Sequence, residues 1–291
     1  MDIRAIAMGV AFAVMWSSAF TSARIIVAAA PPLTALSLRF LISGLMGVAI
    51  ALALRQSWRL TRGQWRATII FGVCQNSLYL GLNFVAMQTI EASLATIIAS
   101  AMPLMVGLAS WVIFGERSGW LGGLGLVAGL IGVAIIMGSR LQGGADIYGV
   151  ALCFAGVLAL TLATLSVRGA TSGGNFLMVV GLQMLVGSFF LGLAGLTTET
   201  LEVDWSWQLV AAFVYTTLVP GLAATLVWFR LVNRIGAIKA ATFHFLNPFL
   251  GVLIAALVLS ESLGRWDILG VFVVTMGILA VQLSRQKQVR A

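Results

Sequence analysis

Two stretches 145 residues apart decide how this chain folds: "SAMPLMVGLASWVIFGERSGWLGGLGLVAGLIGV" (100–133) and "FLNPFLGVLIAALVLSESLGRWDILGVFVVTMGI" (245–278). Laid one on the other, they align Pro103 with Pro248, Glu116 with Glu261, Gly119 with Gly264, Gly125 with Gly270 and Gly132 with Gly277. Glycine is common in membrane helices, so the proline and glutamate matches carry the comparison. They predict two related halves, 1–145 and 146–291.

Working outward, the 291 residues are 60% hydrophobic and only 9% charged, more apolar surface than a water-soluble domain buries. The expected solvent is lipid. Apolar runs of about 20 residues, the length a helix needs to cross the hydrocarbon core, recur at 3–28, 34–54, 66–88, 92–114, 121–139, 147–168, 174–196, 208–229, 236–259 and 267–284. The first run is longer than a secretory signal and lacks a small-residue cleavage site, so a retained helix is expected there. Cys74 and Cys153 fall in apolar runs without metal-ligand spacing and read as buried small hydrophobes. No cofactor or metal is expected.

A net charge of +8 raises nucleic acid as a partner, but no basic segment outside the membrane is present to bind it. Membrane topology accounts for the charge instead. With a cytoplasmic N-terminus, thirteen basic residues, among them Arg55, Arg59, Arg62, Arg66, Arg117, Arg168, Arg230 and Arg234, fall inside, and only Arg24, Arg140 and Arg265 fall outside. The positive-inside rule therefore places both termini in the cytoplasm.

Five spans per half is an odd number, so the second half enters the membrane the opposite way round. The charges agree. Arg55, Arg59, Arg62 and Arg66 follow span 2, whereas Glu199, Glu202 and Asp204 follow its counterpart, span 7. The expected fold is an all-α membrane protein of ten transmembrane helices in two inverted five-helix repeats. Such repeats suit secondary transporters, whose similar halves exchange conformations around a central site. No P-loop is present, so gradients rather than ATP would drive the movement.

These landmarks, with "WSSAF" (16–20), "LRF" (38–40) and "EASLATIIASAMPLMVGLASWVIFGER" (91–117), resemble the drug/metabolite transporter superfamily, in its ten-helix branch with two EamA-type halves. Within it the chain is most similar to the YddG-type amino acid exporters of bacterial inner membranes. The resemblance implies a central cavity lined by helices 3, 4, 8 and 9, gating by helices 1, 2, 6 and 7, and peripheral helices 5 and 10 available to a homodimer.

Candidate residues follow from the cost of polar groups at membrane depth, which holds them against protein or water. Asn76, Tyr79 and Asn83 share a helical face at i, i+3 and i+7, serving either a polar path or interhelical hydrogen bonds. His244 and Asn247 are three apart, and Pro248, lacking an N–H, frees the His244 carbonyl, as Pro103 frees that of Ala99. Those carbonyls need a donor or cavity water. The lone His244 reads as a substrate hydrogen-bond donor, a packed residue or a proton-coupling group. Tyr215 joins the substrate set; Trp16, mid-span, reads as path or gate, and Trp228, near a span end, as an interfacial anchor. Arg39 either snorkels, serves as a structural hub, or meets a carboxylate in transit. Glu116 and Glu261 read as structural partners at span ends, and Met87, Met102 and Met105 as adaptable walls.

The function expected is export of amino acids, aromatic and other small neutral ones, by alternating access, with Asn76, Tyr79, Asn83, Tyr215, His244 and Asn247 on the substrate and Trp16, Arg39, Pro103 and Pro248 at the gate or path. Export of drugs or metabolites such as nucleosides is the alternative. An enzyme is not expected: one histidine and no acid well inside a span leave no nucleophile–base pair.

Overall fold

The computed structural model describes residues 2–115, 119–166 and 173–290, so Glu116, Arg117 and Arg168 lie outside the described residues. Among those described, ten helices are long and apolar enough to cross a membrane: α1 Ile3–Val27, α2 Pro32–Ala53, α3 Arg62–Ala86, α4 Ala92–Phe114, α5 Trp120–Gln142, α6 Ile147–Ser166, α7 Phe176–Thr198, α8 Trp207–Ile235, α9 Lys239–Leu259 and α10 Arg265–Ser284. They contain no strand. The apolar runs predicted these spans to within a few residues, except that α8 continues six residues past the expected end.

Local chemistry sets the ends. Asp2 caps α1 by accepting the Ala5 N–H at 3.0 Å, and its contact with Arg234, together with that bond, holds its carboxyl down at about 2. Thr61 and Gln64 form a capping box on α3. Gly236, at φ +83°, makes the tight turn from α8 into α9. Two N-termini are capped from the other half of the chain. Glu199 accepts from the Leu33 and Thr34 N–H groups at 2.7 and 2.9 Å at the start of α2. Glu261 accepts from Ala92 and Ser93 at 2.8 and 2.9 Å at the start of α4. A carboxylate there satisfies orphan donors and faces the positive end of the helix dipole. The structural role read for Glu261 is thus explicit.

Lipid gives helices little hydrophobic reason to associate, so close approach of small residues does that work. α5 and α10 cross at glycines: a Cβ on Gly125 would sit 2.7 Å from the Gly277 carbonyl, and one on Gly132 2.9 Å from that of Gly270. α2 and α7 meet the same way at Gly44 and Gly181, and Ser37 and Ser188 each donate to the other's carbonyl at 2.8 Å. α4 and α9 touch where Gly251 faces Thr96.

In all three pairs rising numbers on one helix meet falling numbers on the other, so equivalent helices of the two halves run antiparallel, as an inverted repeat requires. The remaining packing also exchanges between halves: α1 lies on α8 and α9, and α6 lies on α3 and α4. The start of α1 and the end of α10 lie at one end of the bundle, with Arg55, Arg59, Arg62, Arg66, Arg230 and Arg234. The opposite end carries Glu91, Arg140, Asp146, Glu199, Glu202, Asp204, Glu261 and Asp267. Arg140 there bonds Glu91 and, at 3.0 Å, Asp267, and the bonds from Thr89, Gly149 and Tyr148 lower the Asp146 pKa.

The glycine seam sets a prediction. Gly277→Val puts a branched side chain 2.6 Å from the Gly129 nitrogen and should cost about 1–3 kcal/mol, lowering the melting temperature in detergent. Gly123→Val, with nothing within 4 Å, should leave it unchanged.

Candidate functional site

Four helices, α3, α4, α8 and α9, are irregular at matched places in the two halves, and of these only α3 and α8 reach the cavity described below. α3 winds as a π-helix over Gly72–Tyr79 and α8 over Val219–Ala223. α4 breaks at Ala101 before Pro103, and α9 tightens into a 3-10 turn over Thr242–Leu246 before Pro248. Such interruptions survive at membrane depth only where something else satisfies the backbone, and π turns concentrate at functional sites.

At Pro248 the rescue is local: the Asn247 N–H donates to the His244 carbonyl. The carbonyl expected to stand open is closed by the tightened turn, which corrects the sequence reading. At Pro103 the chain turns at Ala101, whose N–H donates to the Ile98 carbonyl at 3.1 Å, one residue before the Ala99 carbonyl that the proline frees.

At Pro220, inside the α8 π turn, the rescue comes from another helix. The ring removes the N–H that Thr216 would receive, and Arg39 of α2 donates its Nε to that carbonyl at 3.2 Å. One turn further along α2, Ser43 donates to Thr217 at 3.3 Å. Arg39 is only 6% exposed; it does not snorkel. Its guanidinium stands 5.0 Å over the Phe40 ring. Among the described residues no carboxylate pairs with it.

A cavity of about 40 Å³ opens beside this guanidinium, walled by Trp16, Phe20, Tyr79, Asn83, Phe84, Met87 and Pro220. Asn83, fully buried, donates its Nδ2 to the Tyr79 carbonyl at 2.7 Å, while its Oδ1 has no partner. A buried acceptor left unpaired is costly, so among the described residues two of the lining side chains, Arg39 and Asn83, carry polar atoms without a matching partner.

Towards the termini the cavity is closed by rings. Trp16 is its floor and lies in a cluster with Phe12, Trp228 and His244, with centroid separations of 5.6 Å from Phe12 to Trp16, 4.7 Å from Phe12 to Trp228 and 5.2 Å from Trp228 to His244. Asn247 donates to His244 Nδ1 at 2.9 Å, which leaves the proton of the neutral ring on Nε2. Below, the ion pair of Asp2 with Arg234 ties α1 to α8. Towards the other end, one helical turn separates the cavity from a vestibule of about 530 Å³ lined by residues including Val27, Leu33, Gln88, Glu199, Glu202 and Asp204. Arg24 bridges that turn with a hydrogen bond to the Met87 carbonyl.

The expected residues therefore divide. Trp16, Arg39, Tyr79, Asn83 and Met87 share the cavity wall. Asn76 points away: its Nδ2 donates to the Gln183 carbonyl of α7 at 2.9 Å, because i→i+5 winding rotates it off the face it would share with Tyr79 in an α-helix. Tyr215, 39% exposed, pins α8 to α1 through Ser18 at 2.8 Å. His244 and Asn247 belong to the ring cluster beneath the cavity, and Pro103, Pro248, Met102 and Met105 are not in its wall. Trp228, expected at the interface, lies about two turns inside α8 and packs on Phe12 and His244. Phe12 went unread, since a lone phenylalanine in an apolar helix gives no signal. Pro220 did give one: counting back four residues identifies the Thr216 carbonyl.

Residues 3–138 and 147–283 each match the model of the EamA-like transporter family. The chain belongs to the EamA-like transporter family. Among relatives of this EamA-like protein, the Bacillus subtilis transporter YvbV is 27% identical over 94% of this chain and 90% of its own. The inner membrane transporter YedA of Escherichia coli K12 is 24% identical over 94% and 88%, and PecM of Dickeya dadantii 23% over 78% and 77%. A solved crystal structure superposes with a TM-score of 0.67 at 20% identity, covering 99% of both chains, which establishes the fold alone.

The division of the polar stripe is testable in this EamA-like protein. Asn76→Ala should lower stability by about 1 kcal/mol and leave the half-saturation of transport unchanged, whereas Asn83→Ala should shift it. Thermal melts and counterflow on the same preparations check both.

Proposed function

We propose that this transporter exports amino acids and chemically related small carboxylates across a bacterial inner membrane, both termini cytoplasmic, by alternating access between its two halves. The observation that carries the reading is Arg39, a buried guanidinium beside a central cavity with no carboxylate to match it. An ionised group there is stabilised by a partner, and a planar guanidinium suits a carboxylate. Trp16, Phe20 and Phe84 offer ring faces to an apolar body, and the free Asn83 oxygen accepts from a substrate donor. Drugs and nucleosides without a carboxylate leave Arg39 unmatched.

A cavity of about 40 Å³ holds on the order of one water, whereas small-molecule sites measure roughly 300 Å³ or more. Substrate entry therefore requires the lining helices to part. The π turns of α3 and α8 supply places where these helices bend without stripping a full ladder of hydrogen bonds. Closure is thick on the terminal side, four rings and an ion pair, and one turn thin on the other. Positive-inside charge supports the assignment of the thick side to the cytoplasm.

Reconstituted liposomes loaded with labelled amino acids and their deaminated carboxylates should show saturable counterflow, reduced about tenfold, the worth of one good hydrogen bond, by Tyr79→Ala or Asn83→Ala. Repeating it with and without a pH gradient reads out coupling. Failure of every compound to move would sink the proposal.

A further inference from the structure

The centre of this protein holds a cation without an anion. Arg39 spends its Nε on the Thr216 carbonyl, and among the described residues its terminal nitrogens meet no acceptor. The cavity wall contains no aspartate or glutamate. Among its lining side chains, the acceptor oxygens belong to Tyr79 and to Asn83, whose Oδ1 has no partner among the described residues.

This imbalance ranks ligands by charge. A ligand of net charge −1 brings its carboxylate to Arg39 and leaves the complex neutral in a medium that penalises net charge. A zwitterion brings the same carboxylate together with an ammonium, and the wall has no carboxylate to receive it. A cation without a carboxylate adds a second positive charge to the first. Resting on the proposed export of small carboxylates, we propose that the site selects monoanionic carboxylates with an apolar or aromatic body over the corresponding zwitterions, and that Arg39 is the charge-selecting residue.

The charges at the two ends favour the same ligand and the same direction. The terminal end presents Arg55, Arg59, Arg62, Arg66, Arg230 and Arg234, which concentrate anions at the inner mouth. The outer vestibule is lined by Glu199, Glu202 and Asp204 with no lysine or arginine in its wall, so a released anion is repelled from rebinding. An inside-negative membrane potential adds an outward force on an anion and none on a zwitterion.

The test uses the full-length protein in proteoliposomes and counterflow at zero imposed potential. The probes are phenylalanine; N-acetylphenylalanine and phenyllactate, which keep ring and carboxylate without the ammonium; and phenylalanine amide, which keeps the ammonium without the carboxylate. The two monoanions should half-saturate at concentrations about tenfold below phenylalanine or lower, and the amide should give no counterflow. Arg39→Lys should keep the ranking at a reduced rate, and Arg39→Gln, checked for monodispersity and melting temperature, should erase it. Phenylalanine equal to or better than the monoanions would overturn the inference and leave carboxylate export standing; so would a folded Arg39→Gln that keeps the ranking. Movement of no probe would overturn both. The wild-type ranking decides irrespective of whether Arg39→Gln folds.

Discussion

The hydrogen bond from Arg39 to the Thr216 carbonyl joins two liabilities that a membrane interior tolerates poorly. Pro220 leaves a carbonyl without its helical donor, and α2 carries a guanidinium into the bundle without a counter-charge. Each relieves part of the other's cost. The carbonyl gains a charged donor, but a dipole compensates a full charge only in part, which leaves the cation the stronger of the two liabilities. The π turn of α8, the hydrogen bond from Ser43 of α2 to the Thr217 carbonyl and the cavity beside Pro220 all adjoin this pair.

The backbone irregularities recur at matched places in the two halves, and the side chains do not. Both π segments and both proline breaks occur at matched positions, and the three equivalent helix pairs are antiparallel. Yet Arg39 has no partner of like charge at the matched place in α7, where Met184 stands. The ring cluster of Phe12, Trp16, Trp228 and His244 forms on one side of the cavity only. A scaffold with two similar halves can reach two similar conformations; under the proposed function, the unequal side chains would decide what is held at the centre and how firmly each end closes.

Much of this was legible in the sequence. Span length and hydropathy located ten helices because the hydrocarbon thickness fixes how long a helix must be, and the 145-residue repeat paired the halves through Pro103 and Pro248. Trp16, Arg39, Tyr79 and Asn83, which line the cavity, stand out in the sequence because polar or aromatic groups at mid-span need a reason. Two of the failures share one cause, the assumption of α-helical winding throughout. A π turn moved Asn76 from the cavity face to α7, and a 3-10 turn closed the His244 carbonyl that an unbroken helix with a proline would expose. Trp228 was misplaced because the basic Arg230 and Arg234 made α8 look finished before Ile235. The clustering of Phe12 with His244 is a tertiary fact with no local signature.

The central claim is that Arg39 holds the substrate carboxylate in the cavity beside Pro220. The most direct measurement is a structure with 4-bromophenyllactate bound, the bromine located by its anomalous signal and the carboxylate by density. The account predicts a carboxylate oxygen about 3 Å from the Arg39 guanidinium, with the bromophenyl ring among Trp16, Phe20 and Phe84. Density for the ligand at the His244 cluster, or in the cavity with its carboxylate turned away from Arg39, would contradict it.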